Sequence, residues 1–257
     1  MDTLPGLEET AARILEARRV LVITGAGISA DSGLPTYRGF GGLYNDELTE
    51  DGMPIEVALS GEVMRRDPAI TWKHLARIEA TCRGARPNAA HEVIAALQER
   101  VPTTVLTQNI DGFHRRAGSR DLIEIHGDLF ELDCTHCGHH ETVADYSQLT
   151  VLPPPCPHCL GHLRPRVVLF GEALPRAAIQ RLEAVMQEGY DVVFSIGTTS
   201  VFPYIAQPFA IAGETGALAI EVNPGDTAVS RHADLRWRSG AAEALTRLWR
   251  ALGERGN

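Results

Sequence analysis

The sequence contains no uninterrupted apolar stretch near the roughly 18 residues that a membrane-spanning helix needs. Aromatic residues make up only 6% of the chain, and the net charge of −9 comes without a polybasic run that would offset it. The chain therefore lacks the cationic surface and the stacking rings of nucleic-acid binders. Its first residues carry no basic and apolar leader. We expect a cytoplasmic protein that binds neither nucleic acid nor membranes.

The apolar residues that are present follow an alternating pattern. The 257 residues are 44% hydrophobic and 22% charged, as in a globular protein of one or two domains. Short apolar runs predict buried strands at 20–23, 104–107, 122–125, 192–196 and 217–222. Amphipathic segments predict helices at 7–17, 89–100, 175–187 and 241–252. This alternation predicts an α/β fold with a doubly wound, Rossmann-type parallel sheet.

Two stretches interrupt the alternation. Residues 39–85 contain glycine, charges and helix formers but no clear strand, and residues 128–167 contain cysteine pairs. We predict that both are insertions that form a smaller domain, with a helical module and a zinc module. The remaining segments, 1–38, 86–127 and 168–257, would form the nucleotide-binding domain. Both insertions start where a strand ends, at the edge of the sheet where such folds bind ligands.

The cysteines indicate a metal site. Four of the five form two C-x-x-C pairs separated by 18 residues, and Cys82 stands alone. An odd number of cysteines without a leader argues against a disulfide framework. Four thiolates leave no open position on a tetrahedral ion, so we predict one structural zinc (Zn²⁺) per chain. Its ligands would be Cys134, Cys137, Cys156 and Cys159.

A glycine-rich turn follows the first predicted strand. Gly25, Gly27 and Ala30 form the pattern G-x-G-x-x-A, which lets a diphosphate approach the backbone at a helix N-terminus. The acidic residue expected about 20 positions later, at the end of a second strand, is missing. An ordinary strand–helix turn explains the pattern about equally well. Alone, the turn is only weak support for nucleotide binding.

Several longer segments resemble the signature sequences of one protein family. The run from Gly25 to Gly39, GAGISADSGLPTYRG, resembles the first signature of the sirtuins, which are NAD-dependent protein lysine deacylases. TQNIDGFH at 107–114 and EIHG at 124–127 resemble the second and third signatures, and the cysteine pairs follow at the family's place. Phe170-Gly171-Glu172, the segment 197–200 and Asn223-Pro224 continue the order. The resemblance extends from about residue 10 to 245.

The resemblance implies two catalytic residues. His126 would be the base that removes a proton from a ribose hydroxyl, and Asn109 would position that ribose. A group that titrates near neutral pH suits this role. From the residues alone, a structural histidine at the end of a strand is equally good, and Asp111 fits a cap of the following helix.

The resemblance also implies NAD as the co-substrate. Asp111 and the backbone of Ile110 would hold the nicotinamide amide, and Tyr37 would cover the reacting sugar where the family more often has phenylalanine. The predicted NAD contacts are Gly25, Ala26, Gly27, Ile28, Ser29, Tyr37, Arg38, Gln108, Asn109, Ile110, Asp111, Gly197, Thr198, Thr199, Asn223, Pro224, Gly225 and Ala241.

The implied second substrates are acyl-lysine proteins or peptides, which would pair as an extended strand between two chain segments. The predicted contacts are Val168, Phe170, Gly171, Glu172, Val201, Leu75 and Ile78. A branch of the family binds acyl carboxylates through a tyrosine and an arginine, where this chain has Leu75 and Ile78. We therefore expect acetyl or longer neutral acyl groups. A shift of one residue would place His74 and Arg77 there instead.

We thus predict an NAD-dependent protein lysine deacylase that produces free lysine, nicotinamide and O-acyl-ADP-ribose. An NAD glycohydrolase or ADP-ribosyltransferase on the same fold is one alternative, and a non-catalytic NAD or ADP-ribose sensor is another. Asn109, Asp111 and His126 together argue against a sensor, and the zinc and peptide-binding segments argue against a glycohydrolase. The oligomeric state stays open, with a monomer as our expectation.

Overall fold

The computed structural model describes residues 4–36 and 48–255. Its strands are β1 Val20–Thr24, β2 Thr103–Thr107, β3 Leu122–Glu124, β4 Gly127–Cys134, β5 His140–Thr142, β6 Leu163–Val167, β7 Val192–Ile196, β8 Leu218–Val222 and β9 Leu235–Trp237. Its α-helices are α1 Leu7–Glu16, α2 Ile55–Ala58, α3 Gly61–Arg66, α4 Pro68–Cys82, α5 Ala89–Leu97, α6 Phe113–Arg116, α7 Arg176–Glu188, α8 Pro203–Ala210, α9 Ala212–Thr215 and α10 Ala241–Arg255. Short 3-10 helices span Ala26–Ser32 and Ser230–His232.

The six strands of the main sheet lie in the order β3-β2-β1-β7-β8-β9, and every neighbouring pair is parallel. The chain builds outward from β1 in one direction and then continues from β1 in the other. The connections that follow β1 and β7 therefore run to opposite faces of the sheet, where Ile28 and Ile205 are buried in different cores, and a crevice opens beside them at the carboxyl edge. The fold is the doubly wound parallel sheet that the sequence predicts.

Helices cover both faces of this sheet, because β1 is apolar on both sides. Val20 and Val22 pack into a core with α1, α5 and α10. Leu21 and Ile23 point the other way and pack with α7, α8 and α9. A continuous apolar run is what a strand covered on both faces requires.

A second sheet has the order β5-β4-β6 and is antiparallel. It shares a separate apolar core with the helical segment that contains α2, α3 and α4. Trp72 of α4 is fully buried in this core, and its indole N–H donates to Leu163 O of β6 at 3.0 Å. The division of the chain into two domains, with the boundaries given above, stays a prediction.

Several described elements have no counterpart in the sequence expectations, among them the three strands of the second sheet, α9, β9 and α8. β9 is an edge strand of three residues, too short to produce an apolar run, and α8 carries Pro208 in its interior. The glycine-rich turn leads into a 3-10 helix rather than an α-helix. Among the described residues, no helix is both long enough and apolar enough to cross a membrane.

Candidate functional site

A cleft of about 740 Å³ lies at the carboxyl edge of the main sheet, between this sheet and the residues of the two insertions. It brings together most of the residues that the sequence singles out. The predicted residues that line it are Gly25, Ala26, Gly27, Leu75, Ile78, Gln108, Asn109, Ile110, His126, Val168, Phe170, Gly171, Glu172, Gly197, Thr198, Thr199, Val201, Asn223, Pro224 and Ala241.

A few predicted contacts lie elsewhere. Ser29 and Asp111 line a small cavity of about 30 Å³ that shares Asn109 with the cleft. The side chain of Ile28 is fully buried in the core beneath the sheet. Gly225 lies just beyond the lining residues and donates its N–H to Asn223 Oδ1. Tyr37 and Arg38 fall outside the residues that the structure describes.

His126 follows β3 and has a hydrogen bond at each ring nitrogen. Nδ1 lies 3.1 Å from Gln108 O, and Nε2 lies 2.8 Å from the hydroxyl of Tyr204. A backbone carbonyl only accepts, so Nδ1 carries the proton and the lone pair of the neutral ring is on Nε2. Burial lowers the pKa of His126, and the bond to Gln108 partly opposes this shift. The ring is therefore neutral at pH 7 and has a basic nitrogen in the cleft.

Asn109 and Asp111 are nearly fully buried beside the 3-10 helix. Asn109 Nδ2 donates to Gly25 O at 3.2 Å, whereas Asn109 Oδ1 is buried without a partner among the described residues. Asp111 accepts from Ser29 Oγ at 2.7 Å and from the N–H of Phe113, the first residue of α6, at 3.0 Å, although the N-cap residue of that helix is Gly112. Burial raises the pKa of Asp111, and the two hydrogen bonds oppose this effect.

The glycines of the first turn pack against the loop that follows β7. A Cβ on Gly27 would lie 2.6 Å from the Cα of Gly197, and a Cβ on Gly25 would lie 2.7 Å from the Cβ of Thr198. Gly27 N donates to Gly197 O at 2.8 Å. These glycines therefore allow two backbones to approach, and the same contact forms the floor of the cleft. Polar links from Gln108 Nε2 to Thr198 Oγ1 and from Asn223 Nδ2 to Thr198 O hold the neighbouring loops.

The segment after β6 is fixed on one edge. Phe170 donates its N–H to Leu59 O and accepts from Gly61 N, both at 3.0 Å. Glu172 binds Arg164 through both carboxylate oxygens and accepts the N–H of Leu169. Both oxygens of the Glu172 carboxylate are thus hydrogen-bonded within the protein, although the side chain lines the cleft.

Helix α4 turns its apolar side towards the cleft. Leu75 and Ile78 are buried and line it, whereas His74 pairs with Asp51 and Arg77 pairs with Glu50. The alternative alignment, which shifts the two acyl-contact positions by one residue to His74 and Arg77, does not match this arrangement. No lysine or arginine is among the described residues that line the cleft.

The four paired cysteines meet at the end of the second sheet. Their sulfur atoms all lie within 4.8 Å of one another, with Cys134–Cys159 at 3.5 Å and Cys137–Cys156 at 3.7 Å. Tetrahedral zinc with bonds of about 2.3 Å places its sulfur ligands about 3.8 Å apart. Backbone N–H groups of His136, His158 and Gly161 point at three of the sulfurs, as thiolates require. The four residues fit a structural zinc site.

Sequence reasoning missed several residues of the cleft. Phe202 and Tyr204, at the start of α8, contact the ring of His126. No sequence pattern pointed to these two residues, because α8, which contains Pro208, shows no recognisable helical pattern. Asp31 and Gly240 also line the cleft, and Asp31 accepts the N–H of Ala242 at the start of α10. The position of Asp31 just after the glycine-rich turn is a signal that was available.

Comparisons with known proteins agree with this geometry. The model of the Sir2 family matches residues 25–203. A protein from Pseudomonas aeruginosa named NAD-dependent protein deacylase 2 is 50% identical over 248 residues, 95% of this chain and 96% of its own length. A solved complex of a Sir2 homologue with NAD is 34% identical with a TM-score of 0.86, and the match covers 97% of this chain and 95% of that one. A Sir2 structure with a deacetylated p53 peptide and 3′-O-acetyl-ADP-ribose is 29% identical with a TM-score of 0.83, over 95% and 97% of the two chains.

Proposed function

This chain belongs to the Sir2 family, and from that premise we propose that it is an NAD-dependent protein lysine deacylase. It transfers the acyl group of a modified lysine to ADP-ribose and releases nicotinamide, O-acyl-ADP-ribose and free lysine. The observation that carries this proposal is the basic Nε2 of His126, which lies in the same cleft as Asn109 and the loops after β1, β7 and β8.

NAD occupies the part of the cleft formed by the main sheet. Backbone groups of the turn at 25–27 and of the loop at 197–199 surround the diphosphate, since the described lining offers no cation. The unpartnered Asn109 Oδ1 accepts a hydrogen bond from the ligand. The loop at Asn223 holds the adenine-side ribose. We also include Tyr37 and Arg38 among the NAD contacts. Only the sequence resemblance supports these two residues.

His126 acts as the general base. The acyl oxygen attacks the ribose carbon that carries nicotinamide, and nicotinamide leaves. A ribose hydroxyl then attacks the acyl carbon, while Nε2 of His126 removes its proton. The C–N bond to lysine breaks, the amine takes up a proton and leaves, and water hydrolyses the remaining cyclic cation to O-acyl-ADP-ribose. The bond from Nδ1 to Gln108 O steadies the ring and stabilises the positive charge that it gains.

The acylated peptide adds as a strand beside residues 168–171. Phe170 is already paired with residues 59–61, and both backbone groups of Leu169 are bonded to Glu172. The peptide therefore pairs with the remaining backbone groups of the segment, those of Gly171 in particular. Glu172 supports the segment through Arg164 rather than by touching the peptide. Val201, which is half exposed at the rim, contacts the peptide from the opposite side.

The acyl group enters a pocket formed by Leu75 and Ile78. A buried carboxylate without a cationic partner carries a large desolvation cost. A neutral chain gains up to ~0.8 kcal/mol for each methylene that it buries. The enzyme therefore removes acetyl or longer neutral acyl groups and leaves succinyl groups largely untouched. The cations of α4 do not change this, because Lys73 pairs with Glu50 and Asp51, and Arg77 pairs with Glu50.

The function is tested by nicotinamide release from NAD with matched acetyl, butyryl, longer-chain and succinyl peptides, and without peptide. We expect release that depends on the peptide and favours neutral acyl groups by at least about tenfold. The double variant Leu75→Tyr/Ile78→Arg supplies a carboxylate-binding pair and should gain succinyl turnover, whereas Arg77→Ala should not change the preference.

Equal release with and without peptide would identify a glycohydrolase, and absence of release would identify a sensor. Succinyl turnover that exceeds the neutral turnover, and that Arg77→Ala abolishes, would show that Arg77 reaches the acyl group.

A cytoplasmic location and a monomeric state complete the proposal. Four thiolates around zinc and an unpaired, buried Cys82 fit a reducing compartment. The substrates are proteins or peptides with acylated lysines, and neither nucleic acid nor a membrane takes part.

A further inference from the structure

Tyr204 has a contact that the proposed reaction does not use. It lies in the first turn of α8 and lines the cleft. Its ring stacks on Phe202 with centroids 5.5 Å apart and an interplanar angle of 13°. Its hydroxyl oxygen lies 2.8 Å from Nε2 of His126, the nitrogen on which base catalysis depends.

The direction of this hydrogen bond follows from the other side of the ring. Nδ1 of His126 faces the carbonyl oxygen of Gln108, which only accepts, so Nδ1 carries the proton. In a neutral imidazole, Nε2 is then an acceptor with a single lone pair. The Tyr204 hydroxyl therefore donates to Nε2, and it fills the one acceptor position that the ring offers to the cleft.

A ribose hydroxyl that gives its proton to His126 needs the same lone pair. Both hydroxyls cannot donate to one lone pair at full strength, so they exclude each other. We propose that Tyr204 is a positioning residue that caps His126 in the ligand-free cleft, and that a hydroxyl of the nicotinamide-side ribose displaces it when NAD binds. This inference rests on the proposed function in one respect, the role of His126 as the base.

The surroundings of Tyr204 allow its hydroxyl to move away from His126 without loss of the other contacts of the side chain. The side chain is half-buried, and Phe202 contacts both its ring and the ring of His126 at centroid distances of 5.5 and 6.0 Å. These ring contacts do not involve the hydroxyl. The substitution Tyr204→Phe therefore removes the cap alone and leaves the packing of α8 in place.

The experiment compares the affinity for NAD and for ADP in four proteins: wild type, Tyr204→Phe, His126→Ala and the double variant. A net hydrogen bond of about 1 kcal/mol must be broken before NAD reaches His126, so Tyr204→Phe should bind NAD about 3- to 10-fold tighter. ADP lacks the nicotinamide-side ribose, so its affinity should not change. In the His126→Ala background, Tyr204→Phe should have no effect, because there is no nitrogen to cap.

Steady-state kinetics separate the cap from a role in the reaction. We expect Tyr204→Phe to lower KM for NAD and to leave kcat within about twofold, because the hydroxyl has left before the chemical step. Unchanged or weaker NAD binding would refute the proposal, as would an equal gain in the His126→Ala background. A fall in kcat of more than tenfold would place Tyr204 in the reacting state and would also refute it.

The binding results stand apart from the proposed function. Turnover that survives in His126→Ala would remove His126 from the mechanism, and with it the reason for the cap to matter in catalysis. The four affinities would still report whether the Tyr204 hydroxyl competes with NAD at His126.

Discussion

Asn109 and His126 differ in how fully their polar atoms are satisfied. Both nitrogens of His126 have partners, whereas Asn109 Oδ1 is buried with none among the described residues. An unpartnered buried acceptor costs about 1–3 kcal/mol. Asn109 thus favours a ligand that supplies a hydrogen-bond donor to Oδ1. His126 must first lose the hydrogen bond from the Tyr204 hydroxyl before Nε2 can accept one from a ligand.

His126, the proposed general base, is the residue whose loss is easiest to interpret. We expect His126→Ala to lower kcat by ~10²–10⁴-fold, because proton removal from the ribose hydroxyl is slow without it. NAD affinity should stay within about tenfold of wild type, since one hydrogen bond of about 1 kcal/mol is lost. Deacylation rates and NAD titration measure the two effects. Near-normal turnover in the variant would exclude His126 as the base.

At the scale of elements, the site depends on the close approach of two loops. The loops after β1 and β7 contact each other backbone to backbone at Gly27 and Gly197, and Gly197 has φ +59°. Side chains at these positions would separate the loops and widen the floor of the cleft. The glycine pattern is therefore a packing requirement as well as a feature of the ligand site.

Gly27→Ala should show this requirement. Its Cβ would meet the Gly197 backbone at 2.6 to 3.0 Å, so we expect a loss of about 1–3 kcal/mol in the free energy of unfolding and weaker NAD binding. Gly213→Ala in α9 is the matched control, because its Cβ would meet nothing within 4 Å. Thermal or denaturant unfolding of the two variants gives the comparison. Equal stability of the two would contradict the packing argument.

The second sheet depends on its metal site. β5 is only three residues long and largely exposed, and residues 135–142, which include Cys137 and β5, contribute no side chain to the adjoining apolar core. We expect one zinc per chain, and we expect Cys137→Ser to lower the unfolding temperature by about 10 °C or more, because metal binding contributes directly to folding. Cys82→Ala removes a buried cysteine that is not part of the cluster and should keep the zinc. Purified protein without zinc at neutral pH would contradict the prediction.

At the scale of the whole molecule, two buried histidines, one from α5 and one from α6, pack against each other. The rings of His91 and His114 have centroids 4.9 Å apart, and His114 Nε2 lies 2.9 Å from Thr24 Oγ1. Burial lowers the pKa of His91 to about 4 and lowers that of His114 well below its ordinary value. Both histidines are therefore neutral in the folded protein and must gain protons as acid unfolds it.

This arrangement predicts loss of stability in mild acid. The folded-state pKa of His91 lies below the value of about 6.5 in the unfolded chain, so its stabilising contribution is complete above pH 6.5. As the pH falls towards 4, the contribution decreases by on the order of 2–3 kcal/mol. Asn88 is the N-cap residue of α5, and its N–H donates to the His91 ring. The substitution His91→Gln keeps an acceptor for this N–H but removes the ring that titrates. Denaturant unfolding from pH 7 to 4.5 should give a flatter profile for this variant, and parallel profiles would contradict the prediction.

The sequence predicted the parts of the fold whose signal is local. β1, β7 and β8 are continuous apolar runs, and their predicted positions agree with the structure to within a residue. The cysteine spacing identified the four residues that cluster. By contrast, β9 and α8 gave no readable signal, because Arg236 interrupts the apolar residues of the three-residue β9 and α8 contains a proline.

The sequence by itself determined the fold class, the zinc ligands and the family signatures, since each resides in short segments with fixed spacing. Only the tertiary structure decided what those segments meet. It placed Leu75 and Ile78 at the cleft, while Glu50 and Asp51 paired with Lys73 and Arg77 of α4. It also brought the Tyr204 hydroxyl to His126 across 78 positions of the chain. Such contacts depend on strand order and on how helices pack against the sheet, and no local pattern of residues encodes either one.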